Sequence, residues 1–205
     1  MNPRCVHVVD DEDAVRRSTQ MILRVLGYET QAFESGIAFL EAQPNLARGC
    51  VLLDMRMPEI DGLEVQRRLN AAGASHPVIA VSGHGDLGMA ATAMEQGAIA
   101  FLEKPFSRTA LEKVLDLAFA LLDDPAAYRS YLVSAAAAVQ RLDPPDRRVL
   151  ELIAEGQDSV GIARQSGLSA AAIELSRARI YAELGVGTLT EVLRWAYAAR
   201  CAQLL

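Results

Sequence analysis

The feature that most constrains this chain is an apolar run that ends on a carboxylate and a proline. It reads Val51-Leu52-Leu53-Asp54-Met55-Arg56-Met57-Pro58. The apolar residues predict a buried strand, and the proline prevents further regular pairing because it has no N–H to donate. The strand therefore delivers Asp54 to the carboxyl edge of a sheet. In open α/β sheets this edge is where ligands bind.

Two other strands are predicted to end in the same way. One is the run at 6–9, which leads into Asp10-Asp11-Glu12-Asp13, and the other ends in Glu103-Lys104-Pro105. Three strand ends thus bring several carboxylates and one ammonium to one edge. Carboxylate oxygens are preferred ligands of hard divalent cations. The pattern therefore predicts a site for a divalent cation and a phosphoryl group.

Strands and helices are predicted to alternate through the first 124 residues. The predicted strands are 6–9, 29–33, 51–54, 77–82 and 99–102, and the predicted helices are 13–27, 35–42, 63–72, 86–96 and 107–122. This alternation predicts an α/β fold of the flavodoxin-like kind, with a five-stranded parallel sheet covered on both faces.

The pattern breaks at Asp123-Asp124-Pro125, which we predict as the domain boundary. Residues 125–142 are alanine-rich and are predicted to form a linker helix. Four short helices at 147–155, 159–165, 169–184 and 188–201 then predict a small all-α domain with a helix-turn-helix. The predicted domains are 1–124, the linker 125–142, and 143–205.

Charge and cysteine usage limit the function classes. The net charge is −6, and residues 1–124 carry 11 basic and 18 acidic side chains. This acidic half is not expected to bind nucleic acid, because that requires a basic surface. Three unpatterned cysteines indicate a reducing compartment. With no signal-peptide-like or membrane-spanning apolar run, the protein is predicted to be cytoplasmic.

The strand-end residues resemble those of the receiver domains of two-component signalling proteins. The resemblance covers residues 5 to about 122 and rests on these motifs: Asp10-Asp11, Asp54 with Met57-Pro58, Ser82-Gly83, and Lys104-Pro105-Phe106. It implies that Asp54 is the nucleophile that becomes an aspartyl phosphate. Apart from self-phosphorylation and slow self-dephosphorylation, no enzymatic activity is expected.

The resemblance also implies roles for the neighbouring residues. Mg²⁺ would be held by Asp11, Asp54 and the backbone carbonyl of Arg56, with Asp10 acting through a water. Lys104 would pair with a phosphoryl oxygen as a compact charge.

Ser82 and Phe101 are implied to form a switch that responds to phosphorylation. The Ser82 hydroxyl would turn to the phosphoryl group, and Phe101 would then move inward. Phe101 is also expected to be an ordinary core aromatic on its strand. The loop after Ser82 is most similar to the FixJ branch of response regulators. That similarity implies dimerisation on phosphorylation through the face formed by 86–106.

Residues 143–202 resemble the LuxR/FixJ type of helix-turn-helix. The resemblance rests on Arg147-Arg148-Val149-Leu150-Glu151-Leu152, Gly156, Ile162-Ala163, Leu168-Ser169, Ile173-Glu174, Arg177, Leu184 and Leu193. The implied DNA contacts are Arg164, Glu174, Leu175, Arg177, Ala178 and Arg179. Among these, a glutamate can accept a hydrogen bond from cytosine, and leucine and alanine can contact thymine methyl groups.

Several exposed positions depart from the family pattern. The usual Asn-Lys pair before the second helix of the domain is Ser159-Val160, and the late lysine is Glu183. Few positive charges predict weak non-specific affinity for DNA. Two functions therefore stay open. One is a response regulator phosphorylated by a sensor histidine kinase that controls promoters. The other is a phospho-regulated module whose helical domain binds protein.

The two functions differ in the electrostatics they predict. DNA binding predicts that Arg164, Arg177 and Arg179 converge on one face free of the Glu174 and Glu183 carboxylates. The protein-binding alternative predicts exposed apolar surface at Leu175 and Trp195, although Trp195 is also expected to pack between helices.

Overall fold

The computed structural model describes residues 4–83 and 87–203. The chain divides into two compact units, one made of residues 1–84 and 96–125, and the other of residues 85–95 and 126–205. The predicted boundaries at 124 and 142 stay a prediction. Within the described part of the chain, no helix is long and apolar enough to cross a membrane.

The first unit is built on a five-stranded parallel sheet, which confirms the predicted fold class. Its strands are β1 (Cys5–Val9), β2 (Glu29–Phe33), β3 (Gly49–Asp54), β4 (Val78–Ser82) and β5 (Ala100–Glu103), in the order β2-β1-β3-β4-β5. The strand order reverses beside β1, so the carboxyl ends of β1 and β3 border the crevice where such sheets bind ligands. Both ends carry acidic residues.

Helices follow each strand, as the alternation predicted. They are α1 (Asp13–Val25), α2 (Gly36–Ala42), α3 (Gly62–Ala71), α4 (Leu87–Glu95) and α5 (Arg108–Asp123), with a short 3₁₀ helix at Gln43–Asn45. The Ser35, Asp61 and Ser107 side chains each accept a hydrogen bond from the backbone N–H three residues later. Such caps satisfy one of the free donors of the first turn and so define where these helices begin.

The core lies against the sheet, which explains why β1, β3 and β4 are mostly apolar. All residues of these three strands are buried. Leu23 of α1 and Leu111, Leu115 and Phe119 of α5 pack in one cluster with apolar residues of the central strands. Strands that are buried on both faces do not show polar–apolar alternation. The packing on both faces also holds the ends of these strands in place.

The second unit contains α4 and the five described helices of the C-terminal part of the chain. These five are α6 (Pro125–Arg141), α7 (Pro144–Ala154), α8 (Ser159–Ser166), α9 (Ala170–Leu184) and α10 (Leu189–Ala202). The linker prediction corresponds to α6, whose Leu132 and Ala135 pack against Ala198 of α10. Trp195 lies beside this cluster, 6.0 Å from the Tyr131 ring centroid. The expectation that Trp195 packs between helices is therefore confirmed.

The helix-turn-helix is formed by α8 and α9. Gly167 ends α8 with φ +73°, a left-handed conformation that glycine adopts without steric cost. Ser169 then caps α9 by accepting a hydrogen bond from the Ala172 N–H. The predicted start of α7 at Arg147 was three residues late, because Pro144 and Pro145 fit the first turn, where a missing N–H costs nothing.

Candidate functional site

Three carboxylates meet at the carboxyl edge of the sheet, where the sequence placed them. Asp10 follows β1 and Asp54 ends β3, and both are almost completely buried, at 4% and 5% exposure. Asp11 is exposed. One oxygen from each of the three lies within 4.8 Å of the others. This is a set of hard oxygen donors with one open side, which is the kind of site that Mg²⁺ prefers.

Lys104 joins two of these carboxylates. Its Nζ donates to Asp10 Oδ2 and to Asp54 Oδ2, each at 2.7 Å. The backbone holds the lysine there, because the Lys104 N–H donates to the Ser82 carbonyl at 2.7 Å at the ends of β4 and β5. The Lys104–Pro105 peptide bond is cis. The ammonium thus lies where it can hold a negative oxygen beside Asp54.

Burial and charge act against each other at this site. Desolvation raises the pKa of Asp54 above its ordinary value, although the Arg56 N–H and the Lys104 ammonium oppose that rise. Burial alone would lower the pKa of Lys104, but its hydrogen bonds to Asp10 and Asp54 outweigh burial and the pKa is raised. The lysine is therefore a fixed positive charge at neutral pH.

The loop after β3 holds the Asp54 carboxylate from the other side. Its Oδ1 accepts a hydrogen bond from the Arg56 N–H at 3.0 Å. Gly62 closes this loop with its N–H donating to the Met55 carbonyl at 3.1 Å. A Cβ at Gly62 would lie 2.5 Å from the Asp54 carbonyl oxygen and 2.7 Å from the Met55 Cα. Only glycine allows this close approach.

Ser82 and Phe101, the predicted switch residues, are both buried. The Ser82 Oγ has no hydrogen-bond partner among the residues that the structure describes. A buried hydroxyl without a partner is costly, so an acceptor that enters the site gains a donor already in place. Phe101 lies in the adjacent strand β5 and is 5% exposed.

Sequence reasoning missed one basic residue of the site. Arg16 of α1 donates through Nη1 to the backbone carbonyls of Asp10 and Asp11, at 2.8 and 2.9 Å. Its Nη2 donates to Asp13 Oδ1 at 3.2 Å. The sequence places Arg16 three residues after Asp13 on one helix, but only the fold shows that the guanidinium turns back to the loop.

In the second unit, the residues proposed to read DNA lie on the outer face of α9. The buried positions Ile173, Ser176, Ile180 and Leu184 form one stripe of the helix. Glu174, Leu175 and Ala178 lie on the exposed side, and the Leu175 side chain is 60% exposed. The helical period therefore brings these three predicted base contacts together.

Two of the three arginines that were predicted to contact DNA phosphates form ion pairs with carboxylates of the protein in this structure. Arg177 pairs with Glu174 at 3.0 Å. Arg179 Nε donates to Asp146 Oδ2 at 2.6 Å, and this buried aspartate also accepts from the Ser176 hydroxyl at 2.7 Å. Arg164 is exposed, and Glu183 pairs with Arg141 at 2.6 Å. DNA binding predicted that Arg164, Arg177 and Arg179 lie on a face free of the Glu174 and Glu183 carboxylates, and this is wrong at Arg177, which pairs with Glu174.

Arg179 is paired in this way because the buried Asp146 of α7 lies within reach of α9. Its pKa is lowered, first by the hydrogen bonds from Arg179 and also by the Ser176 hydroxyl. A buried carboxylate needs a positive partner, and Arg179 is the one that reaches it. Arg179 thus joins α9 to α7, which a reading of α9 alone could not reveal.

Comparison with known proteins assigns a family to both the N-terminal and the C-terminal part of the chain. The family model of the response regulator receiver domain matches residues 6–116. The model described as bacterial regulatory proteins, luxR family, matches residues 141–196. The chain therefore belongs to the response regulators and joins a receiver domain to a LuxR-type domain.

The chain is similar to curated transcriptional regulators over nearly its whole length. The chain is 35% identical to the transcriptional regulatory protein FixJ of Bradyrhizobium diazoefficiens, over 95% of both chains. It is 33% identical to the tetrathionate response regulatory protein TtrR of Salmonella typhimurium, over 92% of this chain and 90% of the relative. It is a transcriptional response regulator and not a catalytic enzyme in the usual sense.

Solved structures agree with this assignment. Full-length FixJ from B. japonicum has 34% sequence identity and a TM-score of 0.59, covering 98% of this chain and 99% of that one. The structure described as FixJ-N has 38% identity and a TM-score of 0.55, covering 57% of this chain and 93% of that one.

Proposed function

We propose that Asp54 accepts a phosphoryl group from a sensor histidine kinase, with Mg²⁺ as the cofactor. Phosphorylation then promotes dimerisation and binding of the LuxR-type domain to promoter DNA. The observation that carries this proposal is the Lys104 ammonium held 2.7 Å from both Asp54 and Asp10 at the open edge of the sheet.

The chemistry begins at the Asp54 carboxylate. One of its oxygens attacks the phosphorus of a phosphohistidine, the new O–P bond forms, and the N–P bond breaks with its electron pair passing to the imidazole. Lys104 is already in place to hold a phosphoryl oxygen by a charge-assisted hydrogen bond. The Arg56 N–H keeps the carboxylate oriented during the transfer. Positioning and charge neutralisation dominate such transfers.

Mg²⁺ fits the donor set of the site. Asp11 and Asp54, with the backbone carbonyl of Arg56, are proposed to hold it, and Asp10 is proposed to act through a water. Support comes from the three carboxylates, whose oxygens lie within 4.8 Å of one another. When bound, the cation neutralises negative charge on the phosphoryl group as it approaches the carboxylates.

Ser82 and Phe101 are proposed to report the phosphoryl group. The Ser82 hydroxyl is buried and its Oγ lacks a partner within the described part of the chain, so it is free to donate to a phosphoryl oxygen. Phe101 lies on the next strand, β5, opposite Ala80, and is proposed to exchange between two packings. The state with phosphate is then favoured by the new hydrogen bond.

The dimer is proposed to form through the face of 86–106, which includes α4 and β5. Asp86 lies outside the described residues. Arg164, Glu174, Leu175, Arg177, Ala178 and Arg179 are the proposed DNA contacts. The support is strongest for Leu175, Glu174 and Ala178 on the exposed side of α9. Arg177 and Arg179 would have to exchange a carboxylate for a DNA phosphate.

The experiment is phosphorylation of the full chain by acetyl phosphate in the presence of MgCl₂, followed by intact-protein mass spectrometry. We expect one phosphoryl group on the wild type and none on Asp54→Asn, because an amide cannot act as the nucleophile. Asp116→Asn, on the exposed surface of α5, is the matched control and should be phosphorylated like the wild type. An unchanged yield in Asp54→Asn would refute the site.

A further inference from the structure

We propose that Arg16 is a positioning residue that holds the β1–α1 loop in the conformation needed to bind the divalent cation. This inference rests on the proposed function of the acidic site. It assigns a role to a residue that touches neither the phosphoryl group nor the cation.

The contacts of Arg16 are made to the loop backbone. One guanidinium nitrogen donates to the carbonyls of two successive residues, Asp10 and Asp11, and the other donates to the Asp13 carboxylate. The Arg16 side chain is only 14% exposed. A planar, fork-shaped group with several fixed donors is suited to hold two peptide planes at once.

The loop has one further internal support. The Asp10 Oδ1 accepts from the Glu12 N–H at 2.9 Å, which orients the buried carboxylate. Asp11 is exposed, and its backbone is held by Arg16 through its carbonyl oxygen. Without Arg16, the direction of the Asp11 carboxylate would have to be fixed when the cation binds, at a cost in conformational entropy.

Positioning and simple electrostatics predict opposite effects of removing Arg16. A positive charge next to a cation site repels the cation, so an electrostatic role alone predicts tighter binding after its removal. A positioning role predicts weaker binding, as is common when residues behind metal ligands are changed. The sign of the change therefore distinguishes the two roles.

Arg17 provides a matched control on the same helix. It pairs with the same Asp13 carboxylate at 2.7 Å, but its side chain is 77% exposed. No hydrogen bond from Arg17 to the Asp10 or Asp11 carbonyl occurs in the described structure. Arg17→Gln thus removes a nearby positive charge and an Asp13 contact, and leaves the loop carbonyls held.

The test is a titration of the full chain with MgCl₂, in which binding is measured from the amide chemical shifts of Asp11, Asp54 and Arg56. We expect Arg16→Gln to weaken Mg²⁺ binding about tenfold and Arg17→Gln to change it less than about threefold, since exposed ion pairs contribute little. Equal or tighter binding in Arg16→Gln would overturn the inference. Equal weakening in both variants would assign the effect to Asp13 and would overturn it too.

Two further measurements keep the outcome clear. Hydrogen exchange without metal should be faster at the Glu12 amide in Arg16→Gln than in Arg17→Gln, and unchanged within β3. If Arg16→Gln does not fold, Arg16→Lys keeps the charge without the planar fork. Wild-type affinity in that variant would overturn the inference. If the amide chemical shifts of the wild-type protein did not saturate as MgCl₂ is added, the proposed metal site would be refuted, and the inference about Arg16 with it.

Discussion

At the scale of single residues, the Lys104 ammonium balances two buried carboxylates at the edge of the sheet. Asp10 and Asp54 would repel each other and resist burial if no positive group lay between them. The lysine contacts one oxygen of each at 2.7 Å. The remaining oxygen of each accepts a backbone N–H. This leaves the carboxylates oriented before any ligand arrives, which is the preorganisation that electrostatic catalysis requires.

The glycine that closes the β3–α3 loop supports this arrangement through its lack of a side chain. We predict that Gly62→Ala lowers the free energy of unfolding by about 1–3 kcal/mol, the usual cost of overpacking. The new Cβ would meet backbone atoms of Asp54 and Met55, which cannot move aside as a flexible side chain could. Urea denaturation measures the free energy of unfolding, and the yield of phosphorylation by acetyl phosphate measures whether Asp54 can still accept a phosphoryl group.

The control for this prediction is Gly88→Ala on α4. A Cβ there has nothing within 4 Å, and alanine is favoured over glycine inside a helix. We expect unchanged or slightly higher stability and a normal phosphorylation yield. If Gly62→Ala matched this control in both assays, the close approach at Gly62 would have no role in holding Asp54.

At the scale of elements, α9 has a buried side that packs in the helical domain and an exposed side that carries the proposed DNA contacts. Its inner stripe packs in the helical domain and includes Ser176, whose hydroxyl donates to the buried Asp146. Its outer side presents Leu175 to solvent. Neighbouring residues in the sequence thus have different functions, because successive side chains point 100° apart on a helix.

This separation predicts opposite outcomes for adjacent substitutions. Ser176→Ala should lower the free energy of unfolding by about 1–2 kcal/mol, because a hydrogen bond to a buried carboxylate is lost. Leu175→Ala should leave stability within about 0.5 kcal/mol but weaken binding to a selected DNA site about tenfold, as expected for one lost base contact. Thermal denaturation and fluorescence anisotropy with labelled DNA measure the two effects.

Val133→Ala on α6 is the matched control for Leu175→Ala. Val133 is also a surface aliphatic residue, 57% exposed, but it lies outside the proposed DNA-contact set. Both stability and DNA affinity should remain at the wild-type level. Equal DNA affinities for Leu175→Ala and Val133→Ala would contradict the proposed contact at Leu175.

At the scale of the whole molecule, the charge of the chain opposes non-specific attraction to DNA. The net charge is −6, and residues 143–205 carry seven arginines and eight acidic residues. Arg177 and Arg179 are paired with acids in the structure. The electrostatic, sequence-independent part of DNA affinity should therefore be small, and specific contacts doubled in a dimer should supply most of the affinity.

We predict that the phosphorylated protein selects a palindromic site from genomic fragments, with affinity that falls as salt rises. The slope against salt concentration should be shallow, because few phosphates are neutralised. Asp54→Asn treated with acetyl phosphate is the control and should bind more weakly. Sedimentation velocity on the same samples should show a dimer only where Asp54 is phosphorylated.

One outcome would reassign the helical domain. If no fragment is selected while phosphorylation still produces a dimer, the proposed DNA contacts on α9 are wrong. Leu175 and Val160, which are both exposed apolar residues of the helix-turn-helix, would then be tested as a protein-binding surface.

The pattern of apolar runs was sufficient to predict the sheet and most of the acidic site. Buried strands show as apolar runs, and parallel strands end at one edge, so the residues after each run had to meet there. The pattern of strand ends was therefore sufficient to predict that Asp10, Asp11, Asp54 and Lys104 lie together. The resemblance to the LuxR/FixJ helix-turn-helix likewise pointed to Glu174, Leu175 and Ala178, all of which are exposed on α9.

The contacts between elements became visible only in the folded structure. The guanidinium of Arg16 turns to the loop that precedes its own helix, Gly62 approaches the backbone of β3, and Arg179 binds Asp146 of α7. Arginine has a long, flexible side chain, and glycine has none. Their neighbours are therefore set by how the elements pack, and periodicity along the chain carries no information about that packing.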